Sequence, residues 1–171
     1  MEDIVVGGYL VKGDRYYTKD HEWAKIRNGR VTVGITDYAQ KMLGDIVFVD
    51  LPEKDQEVNA GDTLANIESV KNVAPVYSPV SGTVVETNQE VADEPGIVNE
   101  DPYEAGWIAV LEMKDPDDIG DLMTAEEYAD LLKEIVKEEQ GEDTEEGISA
   151  SGLEESLDSI PEEDLGYEEE R

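Results

Sequence analysis

A chain of 171 residues with 13 basic and 44 acidic side chains carries a net charge of −31, which repels phosphate backbones and anionic lipid alike. Neither nucleic acid nor a membrane is therefore an expected partner. The absence of cysteine excludes disulfides and thiolate metal sites, so any redox chemistry must arrive with a cofactor.

The length allows one domain with a tail. Residues 1–15 read as an N-terminal extension, 16–136 as the domain and 137–171 as an acidic tail expected to be disordered. The tail holds 15 acidic and two basic residues, so −18 of the charge stays with residues 1–136. The tail is too polar to offset the entropy of ordering it. No long apolar run, export signal or basic presequence is present, and the expected location is the cytoplasm.

Through Ile4-Val5-Val6 and Tyr9-Leu10-Val11 the extension can add an extra strand. Asn28-Gly29, between Lys25-Ile26-Arg27 and Arg30-Val31-Thr32-Val33, predicts a hairpin. His21, taken alone, reads as a structural hydrogen-bonding residue, and one histidine makes no metal cluster. Glu22, taken alone, reads as a surface carboxylate. Thr36 suits a helix N-cap and Gly44 the C′ position, which predicts a short helix burying Ala39, Met42 and Leu43. Residues 45–50 read as a strand covered on both faces for part of its length, ended by Pro52.

Gly61-Asp62 is a turn into a strand over 63–70. Residues 73–80 are again rich in β-formers, but Pro75 and Pro79 remove ladder donors and make this an edge or broken strand. Lys71 falls between the two, at the tip of a predicted hairpin, where position alone would make it an ordinary solvated charge. Gly82 closes that segment and a cleaner strand follows over 83–87, with extended structure resuming over 86–91 and a last strand over 107–113. Thr124-Ala125-Glu126-Glu127 is a capping box. Tyr128, Leu131, Leu132, Ile135 and Val136 then mark one apolar helical face. The acidic pair Asp117-Asp118 reads as a solvated face, and no catalytic triad, phosphate loop or metal cluster is apparent. The pattern fits two small interlocked antiparallel sheets with a C-terminal helix.

Glu68-Ser69-Val70-Lys71 followed by Val76-Tyr77-Ser78-Pro79-Val80-Ser81-Gly82 resembles the lipoyl-attachment segment of the glycine cleavage system H protein family. Tyr17-Thr18-Lys19-Asp20-His21-Glu22-Trp23, Val33-Gly34-Ile35-Thr36-Asp37-Tyr38-Ala39-Gln40 and Asn99-Glu100-Asp101-Pro102-Tyr103-Glu104-Ala105-Gly106-Trp107 resemble other signatures of that family. The resemblance spans roughly residues 16–136. Biotinyl domains and lipoyl domains of 2-oxoacid dehydrogenases share the expected fold but fit less well. The former usually flank their lysine with methionines, where this chain has Val70 and Asn72. The latter usually carry Asp-Lys-Ala and lack the His-Glu-Trp segment.

The resemblance implies a mostly β barrel-sandwich hybrid of the lipoyl/biotinyl type. It also implies a non-catalytic carrier with lipoate in amide linkage on Lys71, Glu68 and Gly82 being the motif positions around it. The implied cycle takes an aminomethyl group from a pyridoxal-phosphate glycine decarboxylase to a tetrahydrofolate-dependent aminomethyltransferase. Reducing equivalents then pass to dihydrolipoyl dehydrogenase, and a lipoate ligase or lipoyl transferase attaches the arm. A monomer is the expected state of such a shuttle. By the same resemblance Glu22 shields the loaded arm and Ile35 belongs to the apolar wall of its cleft. The family often has an aspartate four residues after the lysine, where this chain has Pro75. Two other readings stay open: an H-like lipoate carrier for lipoyl relay or sulfur metabolism, and an unmodified scaffold module.

Overall fold

Glycine-containing turns set the first hairpins. In the computed structural model, which describes residues 2–144, β1 (Ile4–Val6) and β2 (Tyr9–Val11) pair antiparallel across Gly7-Gly8. β3 (Tyr16–Tyr17) leads to β4 (Glu22–Arg27). Asn28 and Gly29, both at positive φ, fold β4 onto β5 (Arg30–Ile35) with Arg27 opposite Arg30.

Helix α1 (Asp37–Leu43) has the expected ends. The Thr36 hydroxyl accepts the Ala39 N–H at 3.2 Å, and Gly44, at φ 79°, donates its N–H to Gln40 O at 3.0 Å. Its buried face differs from expectation: Tyr38 and Gln40 are buried, Ala39 and Leu43 are half-buried, and Met42 is exposed. The cause is the N-terminal hairpin. Tyr9 packs edge-on against Tyr38 at 4.9 Å, and Asp37 accepts the Leu10 N–H at 2.9 Å, so the side of the helix that sequence left to solvent is covered.

β6 (Ile46–Asp50) is followed by β7 (Glu57–Val58), β8 (Thr63–Ser69), β9 (Val73–Tyr77) and β10 (Gly82–Thr87). Sequence expected β6 to be covered on both faces for part of its length. Instead only Ile46 and Val49 are buried, because a register shift between Ile46 and Phe48 leaves both Val47 and Phe48 in solvent. The extended structure expected over 86–91 also gives way. Asn88 accepts the Glu90 N–H at 3.2 Å and starts α2 (Gln89–Asp93), while its amide donates to Ala105 O and Trp107 O at 2.9 and 2.8 Å.

α3 (Gly96–Glu100), β11 (Ala109–Met113) and a 3-10 helix (Pro116–Asp121) precede α4 (Ala125–Thr144). The capping box is present: Glu127 accepts the Thr124 N–H at 2.9 Å and Thr124 accepts the Glu127 N–H at 3.2 Å. The helix continues past 137 to Thr144, and the rest of the tail lies outside the described residues.

The described strands form a six-stranded sheet in the order β3-β4-β5-β11-β10-β7, a three-stranded sheet in the order β6-β8-β9, and the N-terminal hairpin, with every pairing antiparallel. One core takes Ala24, Val31, Val33 and Leu111 from the larger sheet and Val49, Ile67 and Val76 from the smaller. This is the expected mostly β barrel-sandwich with short helices. The chain divides into two units, residues 1–130 and 131–171. In the second, Leu132 is buried and Leu131, Ile135 and Val136 are half-buried.

Candidate functional site

The β8–β9 hairpin carries Lys71 at its tip, on a turn that Ser69 builds. The Ser69 N–H donates to Asn72 O at 2.8 Å, and its hydroxyl oxygen accepts the N–H groups of Lys71 and Asn72, each at 3.2 Å. The Val70 N–H donates to Asp45 O at 3.0 Å, which ties the tip to the connection between α1 and β6. The amine therefore stands on a fixed base. Lys71 is exposed, and none of the ion pairs among the described residues includes it. Its aliphatic stem passes Gly44, where an added Cβ would lie 3.5 Å from Lys71 Cε. β9 is an edge strand, as its prolines require.

Glu68 and Gly82, the other motif positions, are not gathered around the amine. Glu68 lies in register between Phe48 and Val73, exposed on the outer face of the smaller sheet. Gly82 begins β10 in the larger sheet opposite Met113, where an added Cβ would fall 2.3 Å from Glu112 O. That close approach of two backbones explains the glycine by packing alone.

Glu22 is not a surface carboxylate; it is 2% exposed. The backbone turns inward just before it, where His21 takes φ 71°. One carboxylate oxygen accepts the Thr18 hydroxyl at 2.6 Å and the other the Tyr77 N–H at 2.9 Å, from the end of β9 remote from Lys71. Burial dominates its titration and pushes the pKa from 4.5 up to about 7, although both hydrogen bonds favour the charged form. Glu22 lines an open cleft of about 420 Å³ together with Thr18, Asp20, Tyr77, Ser78 and Leu122. Ile35 is the register partner of Glu22 across β4 and β5, but its side chain is buried in the core and is not among the residues lining this cleft.

Lys71 and Glu22 thus stand at opposite ends of β9. At about 3.3 Å per residue the strand is roughly 13 Å long. A bare lysine does not cross that distance; a lysine lengthened by an acyl chain does. Pro75 sits midway, exposed, opposite Asn66. Beneath the cleft, Tyr128 stacks on Tyr17 at 4.6 Å, and its hydroxyl contacts His21 Nδ1 at 2.8 Å and Thr36 Oγ1 at 2.9 Å. Burial lowers the His21 pKa and favours the neutral ring, in keeping with its structural role. Sequence reasoning assigned no role to Thr18, Ser69 or the Tyr77 N–H. Ser69 alone had a signal, as a turn-forming hydroxyl next to the lysine. Among the described residues there is no group of acidic, histidine or cysteine side chains able to hold a metal, and no helix long and apolar enough to cross a membrane.

Residues 15–135 match the family described as glycine cleavage H-protein. The chain is 72% identical over 145 residues to "Glycine cleavage system H protein 4" of Aquifex aeolicus, covering 85% of each chain. It is 54% identical over 134 residues to "Probable glycine cleavage system H protein" of Pyrococcus horikoshii, covering 77% of this chain and 99% of that one. The crystal structure of a glycine cleavage system H protein from Mycobacterium marinum superposes with a TM-score of 0.67 at 42% identity, over 71% of this chain and 98% of the other. With a family match over most of its length and relatives this close, the chain belongs to the glycine cleavage H-protein family.

Proposed function

We propose that this chain is the lipoylated carrier of a cytoplasmic glycine cleavage system, with lipoate in amide linkage on Lys71. The observation that carries the reading is the exposed amine of Lys71 on a turn braced by Ser69 and Asp45, outside every ion pair of the described residues. The partners of this reading are the pyridoxal-phosphate glycine decarboxylase, the aminomethyltransferase, dihydrolipoyl dehydrogenase and the ligase or transferase that attaches lipoate. The shuttle works as a monomer.

When bound, the lipoyl group supplies a disulfide that is reduced and reoxidised as it accepts and gives up a one-carbon amine. The chain supplies attachment, reach and shelter. Lys71 anchors the arm, β9 spans the distance to the cleft, and Leu122 and Tyr77 line part of the cleft. Glu22 sits where an amine carried into the cleft would meet a carboxylate. A neighbouring anion favours the protonated amine, which has no lone pair with which to expel its sulfur.

Attachment is tested by intact mass after coexpression with a lipoate ligase. A lipoyl-sized gain in the native protein and none in Lys71→Ala is expected; no gain with a ligase that modifies its own carrier overturns the reading. Sheltering is tested by ammonia release from the loaded carrier. Glu22→Gln should raise that rate several-fold, and an unchanged rate would remove Glu22 from the role.

A further inference from the structure

Six large apolar side chains are exposed among the described residues, and five belong to the segments that meet at the Lys71 end of the molecule: Met42, Val47, Phe48, Val70 and Val73. Val70 precedes Lys71 in the turn. Val73 and Phe48 share one face of the smaller sheet, in a single register row through Glu68. Val47 is turned out beside Phe48 by the β6 irregularity, and Met42 lies two residues before Gly44, which touches the Lys71 stem. A β-bulge that places two adjacent apolar residues in water has no packing reason among the described residues. Around them stand Asp45, Asp50 and Glu68, none of which takes part in an ion pair of the described residues.

We infer that this apolar face with its unneutralised carboxylate rim is the docking surface for the enzyme that acylates Lys71, a partner with an apolar recess ringed by lysine and arginine. The inference rests on the carrier reading and names the partner of its first step. Reach selects this occupant. Enzymes that act on the finished arm can stand off by its full length, whereas the acylating enzyme must bring its active site to a bare lysine and so must lie against Val70, Val73 and Phe48. There the deprotonated Lys71 amine attacks the carbonyl of a lipoyl adenylate. The new C–N amide bond forms as the bond from carbonyl carbon to phosphate oxygen breaks, AMP leaves with that electron pair, and the amine's remaining surplus proton passes to solvent or an enzyme base. The unpaired carboxylates fit a basic rim on the partner, which charge steers and apolar contact holds.

The test follows acylation of the full chain by a purified lipoate ligase supplied with ATP and lipoate. Phe48→Ser/Val73→Ser should raise KM about tenfold or more with kcat nearly unchanged. Val5→Ser, which removes the sixth exposed apolar side chain of the described residues, on the N-terminal hairpin and outside this face, should match the native protein. Lys71→Ala, which cannot be acylated, should inhibit competitively, and adding Phe48→Ser/Val73→Ser to it should abolish that inhibition. Equal KM and inhibition with and without the face substitutions overturn the docking surface alone. Failure of the native chain to be acylated overturns the carrier reading and the inference with it. Circular dichroism of the double variant should match the native protein, since both replaced residues are exposed. Should it not, the single variants Phe48→Ser and Val70→Ser carry the same comparison.

Discussion

Glu22 is a carboxyl enclosed by a threonine hydroxyl and a strand-end N–H, and its environment opposes its own charge. Its folded pKa of about 7 stands above the unfolded 4.5, so between those values the folded state holds more of the proton. The sign is the reverse of a salt-bridged carboxylate. The contribution to stability is fully present below about pH 4.5 and is lost as pH rises through about 7. The whole loss is on the order of 3 kcal/mol. Glu22→Gln keeps an oxygen to accept the Tyr77 N–H but cannot ionise. Urea unfolding at pH 5 and pH 8 should therefore show the variant gaining about 2–3 kcal/mol on the native protein between the two conditions. A difference between the two proteins that stays constant with pH would mean that water reaches the carboxylate.

At the level of elements, α4 meets the site through Tyr128. This residue stacks on Tyr17 of β3, and its hydroxyl joins His21, just before β4, to Thr36, the cap of α1. Tyr128→Phe keeps the stack and removes the shared partner, leaving the half-buried His21 ring nitrogen without it. The expected cost is about 1–3 kcal/mol in chemical denaturation, with the fold retained; no loss would mean that water replaces the hydroxyl. The element boundaries resting on local chemistry were legible in the sequence: Thr36 and Gly44 around α1, Asn28-Gly29 between β4 and β5, Thr124 and Glu127 at the start of α4. So was the Lys71 tip, set by a turn before one strand and prolines in the next. What escaped depends on distant partners. Asn88 starts a helix because its amide is held by Ala105 and Trp107, and Met42 is exposed because a hairpin 30 residues away in sequence covers the other side of α1. Glu22 looks like any alternating strand carboxylate until Thr18 and Tyr77 close over it. The bulge at Val47 leaves no mark in a run of β-formers.

Across the molecule, the N-terminal hairpin is part of the fold. Tyr103 donates its hydroxyl to Leu10 O and Tyr17 to Lys12 O, each at 2.6 Å, and Lys41 donates to Gly8 O at 3.1 Å while standing 5.3 Å over the Tyr9 ring. Val11 is fully buried and Val6 nearly so. Below the hairpin the buried Arg15 side chain lies over Trp23 at 4.5 Å and Tyr103 at 5.3 Å and donates to Tyr103 O and Glu104. Burial of each valine contributes about 1.5–3 kcal/mol before the entropy of ordering the segment is subtracted. Removing residues 1–12 would take the Leu10 and Lys12 carbonyls from the Tyr103 and Tyr17 hydroxyls and the Leu10 N–H from Asp37, and would uncover Tyr38. The truncated chain should lose about 2–4 kcal/mol and melt on the order of 10 °C lower. Lys71 should still accept lipoate below that temperature, because its turn is braced by Ser69 and Asp45 rather than by the hairpin. A calorimetric scan paired with intact mass separates the two effects. An unchanged melting temperature would show the hairpin to be an appendage, whereas loss of acylation in a folded truncation would show that α1 transmits the hairpin's support to the lysine.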